Sequence, residues 1–175
     1  MVANGGRKEG LTLQDCLSHF QLNEKLDANN TWYCNVCKAH KEAWKMMQVH
    51  SLPVVLVIQL KRFKTSGHYR QKLNYHVQFP LEGLDLTPFV LSQREGGWVY
   101  DCFAVVNHSG DLGGGHYTAY AKHSVTRKWY HFDDSRVSPA SEASVVSSAA
   151  YILFYVRREK TLDTAAAASA AEPKL

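Results

Sequence analysis

Leu13, Cys16, Leu17 and Phe20 recur at three- and four-residue spacing, which predicts a helix with one apolar face. Thr12 before it and Asp15 three residues on form a capping-box-like start, with Asp in place of the usual Glu or Gln. Most later segments change to the shorter strand period. Trp44–His50, Pro53–Phe63, Lys72–Phe79 (stopped by Pro80), Trp98–Val106 and Ala150–Val156 are predicted strands. The unbroken run Val54–Ile58 is apolar on both faces and predicts a central, buried strand. Tyr117–His123 and Trp129–Phe132, joined by polar Ser124–Lys128, predict a β-hairpin. Leu81–Gly97 and Asn107–Gly115 are turn-rich and predict loops. Ser138-Pro139 is an N-cap with Pro at the first helical position, predicting a short helix over Ala140–Ser148. The sum is an α+β chain dominated by antiparallel strands.

Composition narrows the class. The 175 residues are 45% apolar and 11% aromatic, enough for one packed core. The net charge is +4, but the basic residues are scattered, which argues against nucleic acid. No stretch nears the about 18 apolar residues of a membrane span, and the N-terminus has no signal-like apolar core. An intracellular protein of cytoplasm or nucleus is expected. Residues 1–10 and 159–175, Gly-, Ala- and charge-rich, are expected to be disordered. The final Pro-Lys-Leu resembles a Ser-Lys-Leu address without its serine.

The four cysteines, Cys16, Cys34, Cys37 and Cys102, do not form a secreted disulfide framework. Cys16 and Cys102 are expected in the core. Cys34 and Cys37 stand in a Cys-x-x-Cys pair, a half-site for tetrahedral zinc. His40 offers a third ligand, against the plainer reading of a surface histidine. A thioredoxin-type role lacks the βαβ pattern that should follow the motif.

The predicted hairpin has a chemical consequence. Its strands are antiparallel, so the start of the first and the end of the second meet at one end. That brings His116 beside Asp133. A histidine oriented by a carboxylate is two-thirds of a nucleophile–base–orienter triad, although such a pair is more often structural. Adjacent strand residues face opposite sides, so only one of Asp133 and Asp134 is expected to face His116. Hairpin geometry favours Asp133, leaving Asp134 to a local turn.

The runs GGGHYTAYAK, KWYHFDDSRVS and AAYILFY resemble, in order, the His box of the ubiquitin-specific proteases, with its Gly-His-Tyr-x-Ala-Tyr, Trp-x-x-Phe-Asp-Asp and Ala-Tyr-x-Leu-Phe-Tyr segments. SLPVVLVIQLKRF is similar to the family's Leu-Lys-Arg-Phe signature, a scaffold element. The resemblance covers about residues 10–158 and is closest to the split-domain subgroup of ubiquitin-specific proteases four, eleven and fifteen. It implies a papain-like cysteine peptidase fold, here the palm and part of the zinc-ribbon fingers. It implies cleavage after the C-terminal glycine of ubiquitin, with His116 as general base, Asp133 as its partner and Asp134 as a further acidic member. The segment before His116 would gate the ubiquitin-tail channel, making His108, Gly114, Gly115 and Tyr117 substrate-side residues. The family's Gly-Asn-x-Cys-Tyr nucleophile box has no counterpart here. The expectation is therefore the C-terminal half of a catalytic domain, inactive alone, with ubiquitin, ubiquitinated proteins and the missing N-terminal half as partners. The alternative is a catalytically silent ubiquitin- or partner-binding fragment. No cofactor is implied for catalysis. A structural zinc at Cys34 and Cys37 would need ligands from outside this chain.

Overall fold

The computed structural model describes residues 10–66, 69–94 and 96–159. Residues 1–9 and 160–175, which carry most of the expected disordered ends, lie outside the described residues. The first helix, α1 (Leu13–Phe20), starts as its sequence predicts. The Asp15 N–H donates to Thr12 Oγ1 at 3.1 Å, and the Thr12 N–H donates to Asp15 Oδ2 at 2.9 Å. This reciprocal cap satisfies two N–H groups that a helix start leaves unpaired.

Four short strands follow: β1 (Glu24–Leu26), β2 (Trp32–Cys34), β3 (Ala39–Lys41) and β4 (Ala43–Lys45). β1 pairs with β4 and β2 with β3, both antiparallel. The next strands are β5 (Val55–Gln59), β6 (Phe63–Ser66), β7 (Tyr69–Lys72), β8 (Leu84–Asp85), β9 (Val99–Asp111), β10 (Gly114–Lys122), β11 (Trp129–Asp133) and β12 (Arg136–Ala140). A one-turn helix, α2 (Glu142–Val145), precedes the final strand, β13 (Ala150–Arg157). The main sheet runs β12-β11-β10-β9-β13-β5, with β8 also on β9, and every pairing is antiparallel. Its core is built on Tyr100, Cys102, Val105, Leu153 and Tyr155, which face inward along β9 and β13 with a register shift between Cys102 and Ala104, and Leu13 of α1 packs among them. Tyr100 and Tyr155 bury their rings and donate their hydroxyls to the carbonyls of Pro53 and Pro80, at 2.6 and 2.8 Å. Among the described residues no helix is long and apolar enough to cross a membrane.

Several local expectations give way. The Val54–Ile58 run is an edge strand rather than a central one, and Val55 and Val57 are about half exposed. Only its Leu56 and Ile58 face packs on the core. The predicted strand Trp44–His50 ends at Lys45, leaving a single bridge from Val49 to Val90. The predicted strand Lys72–Phe79 stops at Lys72. Beyond it the carbonyls of Leu73 and Tyr75 accept from Arg62 Nη1, at 3.0 and 2.7 Å. One guanidinium nitrogen thus replaces a neighbouring strand as hydrogen-bond partner of these two carbonyls. The expected loop 107–115 is mostly paired strand, and β9 and β10 close at Leu112–Gly113. Gly110 has φ +100°, and a Cβ there would meet the Gly114 carbonyl oxygen at 2.6 Å. That glycine serves a close backbone approach rather than looseness. Ser138 and Pro139 lie in β12, and Ser141 precedes the helix instead. β12 is the sheet's outer strand, where a missing N–H costs no ladder bond.

Candidate active site

Strand register sets the site. Ala119 lies opposite Phe132, so one step on brings Thr118 opposite Asp133, with His116 as the diagonal neighbour on the same face. His116 Nε2–H donates to Asp133 Oδ1 at 2.6 Å. The carboxylate can only accept, so it fixes the tautomer and leaves Nδ1 as the ring's remaining acceptor. The Asp133 hydrogen bond, then its charge, raises the His116 pKa, with a smaller contribution from Asp134. The same hydrogen bond holds the Asp133 carboxyl below the usual range. Both side chains are about half exposed.

Asp134 lies in the expected local turn, but its side chain does not turn away from His116. It occupies the left-handed region, φ +49°, in the two-residue turn between β11 and β12. This conformation suits Asp, whose short polar side chain tolerates it. Instead of pointing away, its carboxylate returns to the site: one donor atom from each of His116, Asp133 and Asp134 lies within 4.8 Å of the others.

His108, Gly115 and Tyr117 occupy the opposite face, while Gly114 shares the face of His116. His108 lies not in a loop but in a strand, buried, 4% exposed and opposite Tyr117. Its ring centroid lies 4.8 Å from Tyr117, 5.5 Å from Phe63 and 5.9 Å from Tyr151. Burial, then the Lys72 ammonium, lowers its pKa. The Lys72 Nζ donates to the His108 carbonyl at 2.7 Å. A Cβ on Gly115 would collide with the His108 ring and the Ser109 carbonyl, whereas Gly114 is open. Gly115, His108 and the half-exposed Tyr117 therefore flank the His116 end of the hairpin from behind. Phe63, Lys72 and Tyr151 were not singled out from the sequence, because only the β9–β13 pairing and the Phe63 strand end bring them to His108.

None of the four thiols is hydrogen-bonded to His116. Cys102 is buried in β9, and burial pushes its pKa up to about 12. Cys16, half-buried on α1, packs against the core, and burial raises its pKa too. Cys34 and Cys37 meet at the β2–β3 turn, where Lys38 has φ +53°. The Cys37 N–H donates to Cys34 Sγ at 3.5 Å. N–H groups of Cys37 and then Val36 lower the Cys34 pKa, which suits thiolate ligation and fits half a zinc site. His40 Nδ1 instead lies 3.2 Å from Thr31 Oγ1, with its ring edge-on to Tyr33. Among the described residues no third ligand joins the cysteine pair.

Comparison with known proteins gives the context. The family described as ubiquitin carboxyl-terminal hydrolase matches residues 12–155. Human ubiquitin carboxyl-terminal hydrolase 15 is 48% identical over 153 residues, covering 87% of this chain and 16% of the relative. Ubiquitin carboxyl-terminal hydrolase 4 of Pongo abelii is 47% identical over 153 residues, with the same coverage. Among solved structures, yeast SAGA DUBm with an Sgf73 mutant superposes with a TM-score of 0.72 at 34% identity, covering 85% of this chain and 33% of that one. The SAGA Ubp8/Sgf11/Sus1/Sgf73 DUB module bound to ubiquitin aldehyde gives 0.70 at 32% identity, covering 87% and 35%. The chain thus spans about a sixth of these curated relatives and a third of the solved chains.

Proposed function

Because the chain belongs to the ubiquitin carboxyl-terminal hydrolase family, we propose that it is the base-bearing part of a deubiquitinating thiol hydrolase that cleaves after the C-terminal glycine of ubiquitin. The observation carrying this reading is the 2.6 Å His116–Asp133 hydrogen bond made through Nε2, which leaves Nδ1 for a thiol. The thiol comes from a segment outside these residues. Its proton passes to His116 Nδ1, and the resulting thiolate–imidazolium pair is the reactive state. The sulfur attacks the terminal glycine carbonyl carbon, the bond to the substrate amine breaks, and His116 returns the proton to that amine. Water then attacks the thioester, losing its proton to Nδ1, and the thiol is released. Asp133 holds the ring and stabilises its charge throughout. Asp134 adds a second carboxylate within reach of the ring.

His108, Gly114, Gly115 and Tyr117 are assigned to the wall that receives the ubiquitin tail, with ubiquitinated proteins as substrates. Cys34 and Cys37 supply half of a structural zinc site, completed by ligands from elsewhere, with no part in the chemistry. Unpaired thiols suit a reducing compartment, cytoplasm or nucleus. A fluorogenic ubiquitin-tail reporter tests the reading. Residues 1–175 alone should give no turnover, and adding the Cys-bearing part of the domain should restore it unless His116 is replaced by Ala. Turnover by the chain alone, lost on Cys16→Ala or Cys102→Ala, would refute it. A complex that binds ubiquitin without turnover would favour a silent binding module.

A further inference from the structure

One buried donor outside the dyad has no partner. Trp129 opens β11, the strand that ends on Asp133. It is 2% exposed, and among the described residues its Nε1–H meets no acceptor. A buried N–H left unpaired is costly, so its surroundings call for an acceptor. Trp129 also lines a cavity of about 310 Å³, at the lower end of the range for small-ligand sites. Asp133 lies four positions further along β11, about 13 Å away, so the cavity is separate from the dyad.

The cavity lining is charged in one part and apolar in another. Arg127 and Lys128 supply the charge, and both come from the β10–β11 turn, where Arg127 holds the left-handed conformation at φ +57°. His123 orders that turn. Its Nδ1 accepts from the N–H groups of Val125 and Thr126, each at 3.2 Å, and its own N–H donates to the Lys128 carbonyl at 2.9 Å. Among the described residues no carboxylate pairs with Arg127 or Lys128. Tyr130, Pro139 and Ala140 form the apolar part. The one acid of the lining, Glu142, lies 3.6 Å from Lys122 Nζ, a buried ammonium that also bonds Glu82 at 2.8 Å. The lining therefore carries two cations, one acid already engaged elsewhere and an unused N–H donor.

We propose that the cavity binds a carboxylate carried on a compact apolar body, either a free organic acid or the acidic side chain of a peptide beside an apolar residue. An ionised carboxylate has only acceptors, which matches Arg127, Lys128 and the Trp129 N–H. The apolar body packs on Tyr130 and Pro139. A single negative charge suits the site better than the roughly two of a phosphate, since Glu142 repels the second. Such a site is independent of the hydrolase chemistry.

The test follows the amide and indole N–H NMR signals of the 175-residue chain. The probe is benzoate, with benzamide as its uncharged counterpart and acetyl-Glu-Phe-amide as the peptide form. Benzoate should move the Trp129 indole N–H and the Ala140 amide in a saturable way, with a Kd of about 1 mM, ordinary for so few atoms. Benzamide should leave both signals in place. Arg127→Asn removes the charge with a residue that tolerates the left-handed conformation, and should weaken benzoate binding at least tenfold while the rest of the spectrum stays that of the folded chain. Trp129→Phe removes only the donor end of the ring system and should weaken binding too, read at Ala140. Tighter binding of the peptide form than of benzoate would make a polypeptide the source of the carboxylate, and weaker binding a free acid. Equal shifts with benzamide, tighter binding of inorganic phosphate than of benzoate, wild-type affinity in Arg127→Asn, or no saturable shift would each overturn the proposal.

Discussion

Replacing Asp133 tests the chemistry most directly. The carboxylate makes one short bond to Nε2 and raises the His116 pKa. In a serine protease, losing the orienting Asp costs about 10⁴ in kcat through the wrong tautomer. Two features make the cost smaller here. A thiol is already ionised against an imidazolium, so less depends on the base. In the chain alone, about half of each partner's surface also faces solvent, so water can replace part of the contact. Asp133→Ala should therefore lower kcat by roughly 10–10³, and Asp133→Asn by less, since an amide oxygen still accepts from Nε2–H. Asp134→Ala should cost less than Asp133→Ala, because Asp134 reaches the ring by charge alone. The assays are kcat in the reconstituted enzyme, with ubiquitin affinity measured separately, and NMR titration of the His116 ring in the chain itself. The ring should titrate above 6.5 in the wild type and fall back toward it in Asp133→Asn, with a smaller fall in Asp134→Asn. An unchanged titration in Asp133→Asn, or full activity in Asp133→Ala with collapse in Asp134→Ala, would refute the assignment.

The same pair links stability to pH. Folding raises the His116 pKa, so that contribution is complete below 6.5 and fades as pH rises through the raised value; folding lowers the Asp133 pKa, so its contribution is complete above 3.8 and fades as pH falls through the lowered one. Thermal melts of wild type and Asp133→Asn should differ most around pH 5, and the gap should narrow toward pH 9 as the His116 contribution fades. Gly115→Ala should destabilise by about 1–3 kcal/mol in urea, as an overpacked site does, while Gly114→Ala stays close to wild type. Arg62→Met should cost at least about 3 kcal/mol, since it strips the carbonyls of Leu73, Tyr75 and Ala150 of a charged donor; equal urea midpoints would refute that role. Native alkylation at pH 8 should label Cys34 and Cys37 quickly and spare Cys102, and metal analysis should find well under one zinc per monomer.

Much of this arrangement is legible in the residues. The aromatic and β-branched runs around His116 and Asp133 define two strands, and antiparallel pairing then brings the two residues together. The Thr12–Asp15 cap is equally local. What escapes the sequence depends on distant partners. Val54–Ile58 has apolar residues on both faces, but composition does not say which segment covers each face. Lys72–Phe79 has strand-like residues, yet Arg62 takes the carbonyls that a strand would have shared. His108 stands among turn formers and is buried because Gly115, in the next strand, has no Cβ. Asp134 lies in a sequence that allows several turns, and only the left-handed one returns its carboxylate to His116.

The tight β9–β10 turn has a further consequence for His116 itself. Glycine-rich strands specify their pairing weakly, and a slip of one residue moves every side chain to the other face. Such a slip would exchange His116 for Tyr117 and remove the imidazole from Asp133. Little in the backbone of Gly113–Gly115 opposes this. The His108 ring seated over Gly115 does, because a slip would put a side chain where only hydrogen fits. That glycine–imidazole contact makes His108 the pin that holds the hairpin in the alignment where His116 meets Asp133.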